Sequence, residues 1–268
     1  MTPALRSLCV AALSCICSVA TSARADVELT LAIPDFNVGG GASEMATNGN
    51  ASVSKGGIRL TKPVGTTVGA AYYKLPVTMS SHRSFSAYFT FRMTQPHCKG
   101  IPDGGADGLA FVIQPSRDVL GRGGGGLGYQ GLPSSVAIEF DSHVNPGPQE
   151  PDKQHVAINI NGEEVSLASA AVPFTFNDGQ IHHAWIDYDG KDDSLQVRLA
   201  LSNSRPAEPA LSHKVDLEKV LGTEQFVGFT ASTGTCFQQH DIFSLYFNSD
   251  NLLQGIDTSV ENYIASSR

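Results

Sequence analysis

From residue 27 onward, short apolar-rich runs alternate with clusters of Gly, Pro, Asn and Asp. "VELTLAI", "GGIRLT", "AAYYKLPV", "SFSAYFTFRM", "GLAFVIQ", "SVAIEFD", "HVAINING", "HHAWIDYD", "SLQVRLAL", "QFVGFTAS" and "IFSLYFN" have the length and the β-branched or aromatic content of strands. In "SFSAYFTFRM" the alternation puts Phe85, Ala87, Phe89 and Phe91 on one face. In "HHAWIDYD" it sets Ala184, Ile186 and Tyr188 against His183, Trp185 and Asp187. Only "HKVDLEKVLG" (213–222) carries a helical period, and it is short. So many strands without intervening helices predict an all-β sandwich or barrel. No linker, repeat or low-complexity tract divides the chain, and "GRGGGGLG" (121–128) is too short to do so. One domain is expected.

The first 25 residues read differently. Arg6 precedes an apolar core from Leu8 to Ala20, and Ala23-Arg24-Ala25 forms a small-x-small cleavage site. That pattern predicts a secretory signal peptide over 1–25, a folded domain over 26–250 and a tail over 251–268 without evident sorting signal. No later stretch reaches the roughly 18 apolar residues of a membrane span, so membrane insertion is not expected. Loss of Arg6 and Arg24 moves the formal net charge from −8 to −10. An acidic chain without a Lys/Arg run makes nucleic acid an unsuitable partner. Three of the five cysteines leave with the leader. The remaining Cys98 and Cys236 predict one disulfide in an oxidising compartment, with two free thiols as the alternative.

The densest candidate chemistry is "VAIEFDSHVNPGPQEPDKQH" (136–155). Glu139 and Asp141 share one strand face, and a Pro-Gly-Pro turn can return Asn145, Glu150 or Asp152, and His155 to it. Hard Ca²⁺ takes six to eight oxygens, whereas carboxylates with an imidazole suit Mn²⁺ or another first-row ion. A solvated strand end is the plainer alternative.

Seven segments in order, "GGADGLAFVIQ", "GGGGLGYQG", "VAIEFDSHVN", "EPDKQHVAINING", "HHAWIDYDG", "VGFTASTG" and "HDIFSLYF", resemble the legume-type (L-type) lectins. The short loop after "ASTG" is more similar to bacterial and plant-receptor members than to seed lectins. The resemblance implies a jelly-roll sandwich, a calcium and a manganese-type ion, a shallow sugar site and no catalysis. By position, Glu139 and His155 resemble transition-metal ligands and Asp141 bridges both ions. Asn145 and the His143 carbonyl resemble calcium ligands. The second bridging carboxylate falls at Glu150, with Asp152 as the alternative.

In the sugar site the resemblance makes Asp107 an acceptor, after a cis Ala106–Asp107 peptide, and makes Asn145 and the Gly125 N–H donors. His143 stands where the family often places a stacking aromatic ring. Thr235, Phe237 and Gln238, on the short loop "TGTCFQQH" (233–240), are candidates for further contact. A Cys98–Cys236 bridge would tie two loops flanking this site. Partners are then glycans, with mannose, glucose, galactose and fucose types all open. Family members often pair sheets, so a homodimer is open as well.

Two other classes have partial signatures in the sequence. Some jelly-roll glycosidases carry E-x-D-x-E or E-x-D-x-x-E, but after Glu139 and Asp141 the third carboxylate is replaced by His143 and Val144. No G-x-S-x-G nucleophile turn is present. A protein-interaction module that has lost sugar binding is the third class, favoured by Glu150 and His143. The pair His182-His183 is expected to be structural, because adjacent strand residues face opposite ways.

Overall fold

Phe85, Ala87, Phe89 and Phe91 all lie buried in the core of the protein, described here from a computed structural model. The structure describes residues 31–36, 40–54, 56–145 and 154–249. The expected leader, the tail beyond 250, Glu150 and Asp152 lie outside the described residues.

In chain order the strands are β1 (Leu31–Ile33), β2 (Met45–Gly49), β3 (Ser52–Ser54), β4 (Gly57–Thr61), β5 (Val68–Tyr73), β6 (Val77–Thr78), β7 (Phe85–His97) and β8 (Gly108–Gln114). They continue as β9 (Val136–Asp141), β10 (His155–Ile160), β11 (Ala168–Ala171), β12 (His182–Asp189), β13 (Ser194–Ala200), β14 (Leu211–Lys214), β15 (Glu224–Ser232) and β16 (Phe237–Asn248). Two antiparallel sheets result. One runs β14-β13-β12-β7-β16-β4-β3 with β1 added on β16, the other β11-β10-β9-β8-β15-β5-β2 with β6 added on β15. The expected all-β sandwich is borne out.

The core lies between the sheets and is built largely from aromatic rings. Phe89 stacks on Phe111 at 5.6 Å and meets Phe140 and Phe229 edge-on at 5.5 and 4.9 Å. Each ring removed from water is worth roughly 1.5–3 kcal/mol, which is what holds the two faces together. Ala184, Ile186 and Tyr188 also join this core, as the alternation predicted.

The helical reading of 213–222 is corrected. His213 and Lys214 belong to β14, and only a 3₁₀ turn, Leu217–Lys219, follows. The run is too short to repay helix nucleation in the absence of a long buried face. Instead Leu217 and Leu221 plug the core, and Asp216 accepts from the Lys219 N–H. His182 and His183 do face opposite ways. His182 sits against the Phe91, Phe174 and Phe176 rings, while His183 bonds the Tyr88 hydroxyl at 2.7 Å. Burial lowers the pKa of both, that of His183 to about 4.

Candidate functional site

The central strands of the second sheet position the polar cluster. β9 lies between β8 and β10, with Asp141 opposite both Gly108 and His155, and Glu139 opposite Ala110 and Ala157. Residues directly opposite across a ladder share a face, so Glu139, Asp141 and His155 stand together. All three are buried. Gly and Ala on the flanking strands leave the acids unshadowed. Gly108 is also demanded by the backbone, since it has φ +152 and an added Cβ would lie 2.5 Å from the Phe140 carbonyl.

The acids are individually fixed. Tyr129 donates to Glu139 Oε1 at 2.5 Å, and the His143 N–H donates to Asp141 Oδ1 at 2.7 Å. Among the described residues no three His, Cys, Asp or Glu side chains converge into a complete ion site. The carboxylates assigned to finish it, Glu150 and Asp152, are not among those residues. Buried carboxylates and an imidazole on one face are nonetheless the donor chemistry that a calcium and a first-row ion use.

Beside this face a ring of loop contacts closes around Asp107. The Ala106–Asp107 peptide is cis, as the resemblance implied. The Asp107 N–H donates to the Ser232 carbonyl at 3.0 Å, and the Ser232 hydroxyl donates to the Gly124 carbonyl at 2.5 Å. Gly125 follows, exposed, and an added Cβ there would lie 3.2 Å from Asn145 Nδ2. Two residues before Asn145, the His143 imidazole bonds the Gly105 carbonyl at 3.2 Å, which returns the ring to the Asp107 loop. Three separate loops therefore present Asp107, Gly125, His143 and Asn145 together.

Asp107 has the unusual environment here. It is 5% exposed, its Oδ2 has no hydrogen-bond partner, and burial pushes its carboxyl up to about 7. A Cβ added at Gly234 would lie 3.3 Å from that oxygen, so a backbone without side chain covers it from the 233–240 loop. A buried carboxylate oxygen without a donor is costly, and a ligand hydroxyl is the kind of group that relieves it.

The 233–240 loop departs from expectation at one point. Thr235 is exposed on it. Phe237 is half-buried and stacks on His97 at 4.8 Å, beside the Cys98–Cys236 disulfide, which is formed as expected. Gln238 is corrected: it is fully buried, because β16 begins at Phe237 and the next side chain turns inward. It cannot touch a ligand at the surface.

Two supports of the loops are barely marked in the sequence. Ser232 is one. The other is the segment 62–67, tied to the 233–240 loop by Thr233: its hydroxyl donates to the Val64 carbonyl at 2.7 Å and accepts from the Thr67 N–H at 2.9 Å. Only the motif "ASTG" carried any hint of them.

The sandwich and the loop ring agree with what the chain is similar to. A model of the legume lectin domain matches residues 28–262. The L-type lectin-domain containing receptor kinase VIII.2 of Arabidopsis thaliana is 34% identical over 222 residues, covering 77% of this chain. This chain spans only 30% of that kinase's length. Agglutinin-2 of Cladrastis kentukea is 32% identical over 231 residues, 77% of each chain. Among solved structures, the metal-free form of lectin I-B4 from Griffonia simplicifolia has a TM-score of 0.67 at 29% identity, covering 81% of this chain and 98% of its own. The lectin of Bauhinia forficata in complex with GalNAc has a TM-score of 0.68 at 26% identity, covering 81% and 96%. With motifs, topology and a family match over most of its length in accord, the chain belongs to the legume lectin domain family.

Proposed function

We propose that the protein is an exported, non-catalytic carbohydrate-binding protein whose sugar site is the loop ring around Asp107. The observation that carries this reading is the buried Asp107 carboxylate oxygen without a donor, faced by the Gly234 backbone, in a loop ring where the Asn145 amide lies beside Gly125. Sugar hydroxyls would donate to Asp107, the Asn145 amide and the Gly125 N–H would donate to the sugar, and His143 would lie against its apolar face. Thr235 and Phe237 stand at the edge for further contact. None of the described helices is long and apolar enough to cross a membrane.

Calcium and a manganese-type ion belong to the same proposal. Glu139, Asp141 and His155 would hold the first-row ion and, through Asp141, the calcium. Asn145 and the His143 carbonyl would add oxygens, and Glu150 or Asp152 would complete the set. The ions would supply fixed positive charge that holds the 141–145 loop, and with it the Asn145 amide, against the sugar.

Saturation-transfer NMR with methyl glycosides of galactose, N-acetylgalactosamine, mannose and fucose tests the reading. Transfer to one of them supports it, and transfer to none contradicts it. Gly125→Ala is expected to weaken the binding sugar about ten-fold, because the new methyl group displaces the Asn145 amide and loses about one hydrogen bond. Unchanged affinity in a titration would remove Gly125 and Asn145 from the site. Mild reduction of Cys98–Cys236 is expected to weaken binding about three-fold, since loosened loops must be ordered by the ligand. Equal affinity before and after reduction would show that the bridge has no part in shaping the pocket.

A further inference from the structure

Gln238 and His240 have no place in the sugar contacts, yet both are fully buried and polar at the sugar-site end of the sandwich. Buried polar side chains are retained at a cost unless they are satisfied, so their partners are informative. Gln238 Nε2 donates to Ser142 Oγ at 2.6 Å and lies 3.0 Å from His240 Nε2. An amide nitrogen only donates, so His240 Nε2 must be the unprotonated acceptor. The imidazole proton then sits on Nδ1 and points at Thr61 Oγ1, 2.6 Å away. Burial agrees with a neutral ring, pushing the His240 pKa down to about 3. The Thr61 hydroxyl is thereby free to donate to the Gln238 carbonyl at 3.4 Å.

At the other end, the Ser142 hydroxyl has accepted from Gln238 and donates to the Asp107 carbonyl at 3.0 Å. The Ser142 N–H donates to the same carbonyl, also at 3.0 Å. With the two Gln238 Nε2 hydrogens given to His240 and Ser142, the bonds along Thr61, His240, Gln238 and Ser142 run in one direction; Met93 Sδ lies 3.1 Å from the same nitrogen, and Gln238 Oε1 has no hydrogen-bond partner. The chain of bonds starts on β4 and β16 of one sheet and ends beneath the binding loop of the other. Gly105, in that loop, fits only because it lacks a side chain: an added Cβ would lie 2.0 Å from Gln238 Oε1.

We infer that Gln238, acting through Ser142 and oriented by His240, is a positioning residue that fixes the Asp107 backbone from inside the sandwich. The inference rests on Asp107 being a sugar ligand only for its effect on affinity. Its effect on the Asp107 backbone stands apart from any ligand. Asp107 is held on its N–H side by Ser232 and on its carbonyl side by the Ser142 N–H and hydroxyl, and the relay governs the hydroxyl bond. A rigid carboxylate loses less freedom on binding, which is where the affinity would come from.

The test uses the full chain with Ca²⁺ and Mn²⁺ present, as wild type, Ser142→Ala, Gln238→Leu, the double variant and Ser142→Thr. Amide hydrogen exchange at Asp107 is measured alongside affinity for the same methyl glycosides. Each single change should speed exchange at Asp107 and weaken binding about ten-fold. The double variant should be no weaker than either single one, because both break one relay, and Ser142→Thr should stay within about two-fold of wild type. Unchanged exchange at Asp107 in the single variants, or losses that multiply in the double, would overturn the inference. Should Gln238→Leu fail to fold, Ser142→Ala against Ser142→Thr decides it. A wild type that binds none of the glycosides would overturn the sugar reading, and exchange at Asp107 would still decide the relay.

Discussion

Asp107→Asn is expected to lower sugar affinity by more than about 100-fold while the protein stays folded. The substitution keeps shape and volume but removes the charge and exchanges one acceptor oxygen for a donor. Hydrogen bonds to a charged acceptor are worth about 1.5–3 kcal/mol each, so losing one, stripping the other of its charge and setting a new donor against a sugar hydroxyl account for the factor. Stability should move the other way. Burial raises the Asp107 carboxyl to about 7 in the protein, against 3.8 for the free group. A raised carboxyl pKa means that the protonated form contributes stability fully below about pH 4, and that this is lost as pH rises through about 7. Asparagine does not titrate. In metal-free protein the melting temperature of the variant should therefore match or exceed that of wild type, with a margin that grows from about pH 4 to about pH 8. Calorimetry across that range checks it, and a variant less stable at high pH than at low pH, relative to wild type, would contradict the burial argument.

Phe89→Ala is expected to cost about 3–5 kcal/mol of stability, read as a fall in denaturant midpoint. Phe89 is fully buried on β7, between the two sheets. Its ring meets Phe91 from its own strand and Phe111, Phe140 and Phe229 from three strands of the opposite sheet. Of these partners, Phe140 lies between Glu139 and Asp141 on β9. A cavity here thus loosens the floor on which the acids stand. Sugar affinity of the folded fraction should fall less than in Asp107→Asn, because no ligand contact is removed. A loss below about 1 kcal/mol would mean that the aromatic cluster does not hold the sheets together.

The strands most legible in the sequence are those whose pattern is enforced by burial. "GLAFVIQ" and "VAIEFD" are buried at every position, and "SFSAYFTFRM" carries its aromatic rings on one face. β2 ("MATNG"), β3 ("SVS"), β11 ("ASAA") and β14 ("LSHK") escaped because they are short, mixed in polarity and at sheet margins. Their neighbours recruit them by hydrogen bonding, and their composition says little of that. The helix expected over 213–222 failed for the same reason, with tertiary packing of Leu217 and Leu221 overriding a weak local period.

In the site, residues with costly chemistry were visible: Asp107, Gly125, His143, Asn145 and the acids of β9 are the ones that the loop ring and the sheet face bring together. Ser142, Ser232 and Thr233 were not, because a hydroxyl residue is common on any surface. Their roles arise only where segments distant in sequence meet, as Ser232 does by linking Asp107 to Gly124. Gln238 was misplaced by a single residue of strand phase. Counting it in the loop exposed it, whereas counting it in β16 buries it.

Metal-dependent sugar binding is tested by a glycan array with the purified protein, run in Ca²⁺ and Mn²⁺ and again after chelation. Binding to a defined glycan set is expected, disappearing on chelation and returning when the ions are restored. Binding that survives chelation would contradict the metal-organised site, and no binding in either condition would contradict the lectin reading itself.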